Sequence, residues 1–127
     1  MSKVLIVDDE PSICFLYEEE LIEEGYDVIS SNTCCGVIEM IAKQKPDLVI
    51  LDIAIGDVNG LDLLQDIRNS YHDMPVILCT AYPAFKYDLK SIAADYYVVK
   101  SHDLTELKAR IKTAIETGTC SIRISQN

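Results

Sequence analysis

Short apolar runs along this chain alternate with longer stretches in which apolar residues return every three or four positions. The runs are Val4–Val7, Val28–Ile29, Leu48–Leu51, Val76–Cys79 and Tyr96–Val99. They are rich in β-branched or aromatic residues, and three of them are apolar on both sides of the pleat. Such strands belong to a parallel sheet covered by helices on both faces. The intervening stretches read as helices. Ile13, Leu16, Tyr17 and Leu21 share one helical face, with Pro11 in the opening turn and Gly25 just past the end. Pro46 stops the second helix, and Gly60 opens the third. Leu104, Leu107, Ile111, Ala114 and Ile115 form the apolar stripe of the last helix, which Gly118 follows.

Five strands alternating with five helices predict an α/β chain with right-handed crossovers and an open sheet. At 127 residues the chain has room for one such domain. The expected fold is a flavodoxin-like (βα)5 three-layer sandwich, its parallel strands in the order 2-1-3-4-5 and its site at their carboxyl ends. The domain is expected to span 3–117, leaving 118–127 as a C-terminal tail or the start of a linker. Within that tail, Thr119–Ile124 alternates weakly, like a strand.

Composition narrows the function. The net charge of −10 argues against nucleic-acid binding by this chain, because phosphate backbones repel an acidic surface. No apolar run is long enough to span a membrane or to serve as a secretory signal, so the expected location is cytoplasmic. The five cysteines, Cys14, Cys34, Cys35, Cys79 and Cys120, show no metal or redox spacing. They are expected to be small core fillers in a reducing compartment.

The predicted strand ends carry the chemistry. The first strand ends in Asp8-Asp9 and the third in Asp52; the fourth ends in Thr80 and the fifth leads into Lys100. Any one of these alone is more often a helix cap or a surface charge. Together they put five polar residues at the same end of four neighbouring strands. Two carboxylates 4 Å apart repel by about 4 kcal/mol at an intermediate dielectric. Lys100 offsets one of the three charges, and a divalent cation such as Mg2+ (or Mn2+) would cancel the remaining two. A carboxylate in that setting can attack phosphorus to give an aspartyl-phosphate. A flavin site would need a Ser/Thr- or Gly-rich phosphate loop where Asp8-Asp9-Glu10-Pro11 stands. A haloacid-type phosphatase would need a cap domain for which the chain is too short.

The same residues resemble the receiver domains of two-component response regulators (the CheY-like superfamily). Val4–Pro11 is similar to the family's acidic opening, and Pro46–Ile53 to its phosphoacceptor strand, with Asn59-Gly60 opening the next helix. Thr80-Ala81 resembles the switch hydroxyl and its small neighbour, and Ala94–Lys100 the fifth strand with the active-site lysine. The resemblance implies that Asp52 is the phosphoacceptor. It implies metal binding by Asp9, Asp52 and the Ala54 main-chain carbonyl, with Asp8 acting largely through water. Lys100 and Thr80 would contact the phosphoryl group, Ala81 would leave access to it, and Tyr97 would turn inward as Thr80 moves. Such a chain is a signalling domain rather than an enzyme, capable at most of self-catalysed phosphorylation and autodephosphorylation.

The implied partners are a sensor histidine kinase or histidine phosphotransferase, docking over the acidic site and the first helix. An output domain or partner would read the face of the fourth helix, fifth strand and fifth helix, including Lys86, Tyr87, Lys90 and Tyr97, and a homodimer on phosphorylation would use the same face. Tyr82-Pro83 would lie in a moving loop. Three features depart from the family pattern. Ile55-Gly56 replaces Met-Pro, which is expected to loosen that loop. Ala54 offers only backbone. Ser101 follows Lys100 where the family has a cis-proline, so a trans Lys100–Ser101 bond is expected. The alternative within the family is a degenerate receiver that acts as an interaction module without phosphorylation.

Overall fold

The structure, a computed structural model, describes residues 2–55, 58–81, 94–101 and 103–125. Five strands form one parallel sheet: β1 (Lys3–Val7), β2 (Asp27–Ser31), β3 (Leu48–Leu51), β6 (Val76–Thr80) and β7 (Tyr96–Val99). Their order is β2-β1-β3-β6-β7, the predicted 2-1-3-4-5 arrangement of the main strands. Val4–Val7, Leu48–Leu51 and Val76–Thr80 are buried on both faces, as central strands between two helical layers require.

The helices divide between those faces. α1 (Pro11–Glu23) and α4 (Thr105–Ser125) cover one side, where Cys14, Tyr17 and Leu21 meet Leu104, Leu107, Ile111 and Ala114 over Val4, Ile6, Ile50 and Ile77. α2 (Val37–Gln44) and α3 (Gly60–Ser70) cover the other, where Val37, Ile41, Leu61, Leu64 and Ile67 pack on Leu5, Val49, Leu51 and Leu78. Lys108 joins α4 to α1 through Glu20 at 3.1 Å and Glu24 at 3.3 Å. Pro11 opens α1 without a side-chain cap, and Gly25 beyond its end takes φ +97°, a left-handed turn that disfavours a Cβ.

Several sequence expectations need correction. α4 continues through Gly118 to Ser125, so 119–124 is helix and not strand. A glycine lowers helix propensity by about 1 kcal/mol but ends a helix only when it turns left-handed. An antiparallel pair, β4 (Ala54–Ile55) with β5 (Val58–Asn59), stands where a loosened loop was expected, and Ile55 is buried in the core. The cysteines are not all core fillers: Cys14 and Cys79 are buried, Cys34 is half-buried and Cys35 is exposed. The predicted fourth helix, with Tyr82, Pro83, Lys86, Tyr87 and Lys90, lies outside the described residues, as does Gly56. Among the described residues, no helix is long and apolar enough to cross a membrane.

Candidate functional site

The site is built at the carboxyl ends of β1, β3, β6 and β7. Asp8 follows the last residue of β1. Its main-chain N–H donates to the Ser31 carbonyl at 3.1 Å, extending the β1–β2 ladder by one bond past the strand. Asp52 follows β3 in the same way, its N–H donating to the Val7 carbonyl at 3.0 Å. The sheet therefore holds both aspartates by their backbones, and their carboxyls are buried.

Lys100, immediately after β7, reaches across to both. Its Nζ lies 2.7 Å from Asp8 Oδ2 and 3.0 Å from Asp52 Oδ2. Its main-chain N–H donates to the Thr80 carbonyl at 2.7 Å, fixing the stem of the lysine against the end of β6. Burial pulls the Lys100 ammonium pKa down, but hydrogen bonds and charge attraction from Asp8 and Asp52 outweigh it and hold the pKa above the usual lysine value. No peptide bond among the described residues is cis, so Lys100–Ser101 is trans, as the serine implied.

Asp8 is bonded at every polar group. Oδ2 takes the lysine, Oδ1 accepts the Glu10 N–H at 3.0 Å, and the main-chain carbonyl accepts the Asn32 amide at 2.9 Å and the Cys14 thiol at 3.4 Å. The carboxylates of Asp8, Asp9 and Glu10 offer oxygens within 4.8 Å of one another, with Asp9 and Glu10 exposed. Glu10 Oε1 also lies 4.0 Å from Lys100 Nζ. Asp8, Asp52 and, more distantly, Glu10 thus face one ammonium, Asp9 stands beside Asp8 and Glu10, and all of these side-chain donors are hard oxygens. That donor set fits a hard divalent cation such as magnesium.

The remaining predicted residues take these places. Thr80 is fully buried as the last residue of β6, and Ala81 follows it exposed. Ala54 pairs through its main chain with Asn59, close after Asp52. Tyr97 packs half-buried on the α2–α3 face of the sheet, where burial raises its phenol pKa. Tyr96 points to the opposite face, its ring 5.4 Å beneath the Arg110 guanidinium. The alternation of a strand separates the two rings, so they cannot share a role.

Three contributors were not foreseen. Glu10 adjoins the acidic pair in sequence, which was signal enough to include it. Asn32 carries no motif; only its position one residue past β2, at the same sheet edge, could have raised it. Gly60 was expected to open α3, but not to approach the site so closely. A Cβ built on Gly60 would lie 2.0 Å from the Asp52 carbonyl oxygen.

A buried thiol layer sits beneath the carboxylates. Tyr17 Oη lies 3.5 Å from Cys79 Sγ. Burial, reinforced by the charge of Asp8, pushes the Cys14 thiol up to about 11, and burial pushes Cys79 to about 11. Both thiols ionise in the unfolded chain near pH 9.0, before they can in the fold. Their contribution is therefore complete below pH 9.0 and is lost as pH rises toward 11. Urea titrations across that window are expected to show stability falling by on the order of 2 kcal/mol per thiol, with Cys79→Ala flattening the slope.

Comparison with known proteins places this arrangement. Residues 4–112 match the family described as the response regulator receiver domain. Transcriptional regulatory protein KdpE of Mycobacterium tuberculosis is 34% identical across 99% of this chain and 56% of its own. The chain spans about half the length of such relatives. The response regulator TrrA of Thermotoga maritima, solved in complex with Mg(2+)-BeF, superposes with a TM-score of 0.86 and 42% identity over 90% of this chain and 99% of that one. TrrA solved in complex with the histidine kinase ThkA gives 0.84 and 41%, over 90% and 98%. With the family matched over most of its length and the strand-end carboxylates and lysine in place, the chain belongs to the response regulator receiver domains.

Proposed function

We propose that Asp52 is the phosphoacceptor, receiving a phosphoryl group from the histidine of a sensor kinase or histidine phosphotransferase. The observation that carries this reading is Lys100, whose ammonium bridges the buried Asp8 and Asp52 carboxylates where four strands end. An oxygen of Asp52 attacks phosphorus, the O–P bond forms, and the P–N bond to the donor histidine breaks with its electron pair going to the imidazole. Lys100 then exchanges an Asp52 oxygen for a phosphoryl oxygen without leaving the site. Mg2+ (or Mn2+), held by Asp9, Asp52 and the Ala54 carbonyl with Asp8 behind it, would screen the carboxylate from the incoming charge. Asp8 suits the outer place because both of its carboxylate oxygens are already engaged. The magnesium complex of TrrA supports the choice of metal.

The switch follows from new charge at Asp52. Thr80 turns its hydroxyl to the phosphoryl group, Ala81 keeps the approach open, and Tyr97 fills the vacated space. The signal leaves by the face of β7 and α4, toward an output domain or a second copy. We assign the receiver to 3–117, with 118–127 a C-terminal tail or the start of a linker. The kinase docks over the acidic site and α1, where Phe15 and Ile22 are 62% and 58% exposed. That docking has a parallel in the complex of TrrA with ThkA. The charge of −10 supports a module that binds no nucleic acid itself. Acetyl phosphate with Mg2+ is expected to add one phosphoryl group to the wild-type mass and none to Asp52→Ala. Equal gain in both would remove Asp52 from the role.

A further inference from the structure

Two polar side chains converge on the peptide that joins the two leading carboxylates. The Asn32 amide donates to the Asp8 carbonyl at 2.9 Å and to Cys14 Sγ at 3.4 Å, and the Cys14 thiol itself donates to the same carbonyl at 3.4 Å. On the other side of Asp8, its N–H donates to the Ser31 carbonyl at 3.1 Å. Residues 31 and 32, at the end of β2, therefore hold the Asp8 residue by both of its main-chain polar groups. The loop beyond is itself tied down: Ser31 Oγ donates to the Thr33 carbonyl at 2.8 Å, and the Cys35 N–H donates to Thr33 Oγ1 at 3.1 Å. Only the NH2 end of the Asn32 side chain can bond a carbonyl, so its orientation is fixed. Cys14 is a protonated thiol at neutral pH, as a donor must be.

The carbonyl so held is the one from which Asp9 is suspended. Rotation of the Asp8–Asp9 peptide would swing the Asp9 carboxylate away from Asp8, with which it shares the acidic cluster. The strand ladder ends at Asp8, and the Glu10 N–H, donating to Asp8 Oδ1 at 3.0 Å, spans the same peptide from its far side. We infer that Asn32, seconded by Cys14, is a positioning residue that fixes the Asp8–Asp9 peptide and so presets the carboxylates for a divalent cation. The inference rests on the metal reading proposed above and deepens it. Asn32 touches neither metal nor phosphoryl group and acts only through the backbone it holds. Removing a group that orients the ligands of a metal commonly costs about 10–100-fold in metal affinity or activity.

The test uses the full chain and Mg2+ alone, by titration calorimetry, beside the Mg2+ dependence of phosphorylation by acetyl phosphate. Asn32→Ala and Asn32→Leu remove the donor, the second while keeping bulk. Both are expected to weaken Mg2+ binding roughly tenfold and to raise half-saturating Mg2+ in parallel. The maximal phosphorylation rate at saturating Mg2+ is expected to stay within about twofold, because the reacting groups are untouched. Melting curves without Mg2+ report the structural cost separately, and Thr33→Ala serves as a control for general disturbance of the loop. Unchanged Mg2+ affinity in both Asn32 variants, with or without a lowered melting temperature, would overturn the inference and leave Asn32 a structural brace. A loss confined to the maximal rate, or an equal loss in Thr33→Ala, would overturn it as well. Absence of Mg2+ binding in the wild type would instead bring down the metal reading itself, and the inference with it.

Discussion

Gly60→Ala is expected to destabilise the protein and to silence phosphorylation, against the usual preference of helices for alanine. In an unremarkable first turn the substitution would gain about 0.5–1 kcal/mol. Here the added Cβ would lie 2.0 Å from the Asp52 carbonyl oxygen, 3.0 Å from its carbonyl carbon and 3.0 Å from Ile53 Cα. All three neighbours are backbone, so no side-chain rotation relieves the contact. Either α3 must back away from β3 or the chain at Asp52 must shift. Overpacking of this kind costs about 1–3 kcal/mol and sometimes more, enough to reverse the sign expected from propensity. Asn59 still caps α3 by accepting the Leu61 N–H at 2.9 Å, so the helix itself should persist. Urea denaturation measures the first effect and the acetyl phosphate mass assay the second. An alanine variant as stable and as reactive as wild type would show that the contact is absorbed elsewhere.

Lys100→Met should have a comparable effect through charge. The lysine side chain is 12% exposed and its two partners 4% and 6%. Removing it leaves buried carboxylates facing one another with Glu10 nearby and no cation between them. Breaking a buried pair from one side costs about 3–5 kcal/mol. Mg2+ should restore part of that loss, since it binds the folded cluster and not the dispersed carboxylates of the unfolded chain. Chemical denaturation with and without Mg2+ is therefore expected to show a larger metal-induced gain in Lys100→Met than in wild type. Phosphorylation should fall by roughly two orders of magnitude even at saturating Mg2+, as on loss of a donor aimed at developing charge. Equal metal-induced gains would mean that the lysine does not neutralise this cluster.

The fold was legible because its strands are short, three of them doubly apolar, and because polar residues stand at their ends. Leu48–Leu51 followed by Asp52 states both a buried strand and its functional end. The carboxylate–lysine cluster followed from strand order, since Asp8, Asp52 and Lys100 meet only if β1, β3 and β7 point the same way. Contacts that depend on main-chain atoms were illegible. Asn32 binds a carbonyl, and Gly60 approaches one; neither leaves a trace in residue chemistry. The extension of α4 past Gly118 was missed because a glycine marks a stop only through its dihedral angles. The β4–β5 pair escaped notice because two-residue strands have no periodicity to read.

The central claim is that Asp52, and neither neighbouring aspartate, forms the acyl phosphate. Borohydride reduction tests it directly, because it converts a phosphorylated aspartate to homoserine and leaves free carboxylates alone. After treatment with acetyl phosphate and Mg2+, peptide mass mapping is expected to find homoserine at position 52 and unchanged aspartate at positions 8 and 9. Homoserine at Asp8 or Asp9, or none anywhere while the intact mass shows a phosphoryl group, would contradict the assignment.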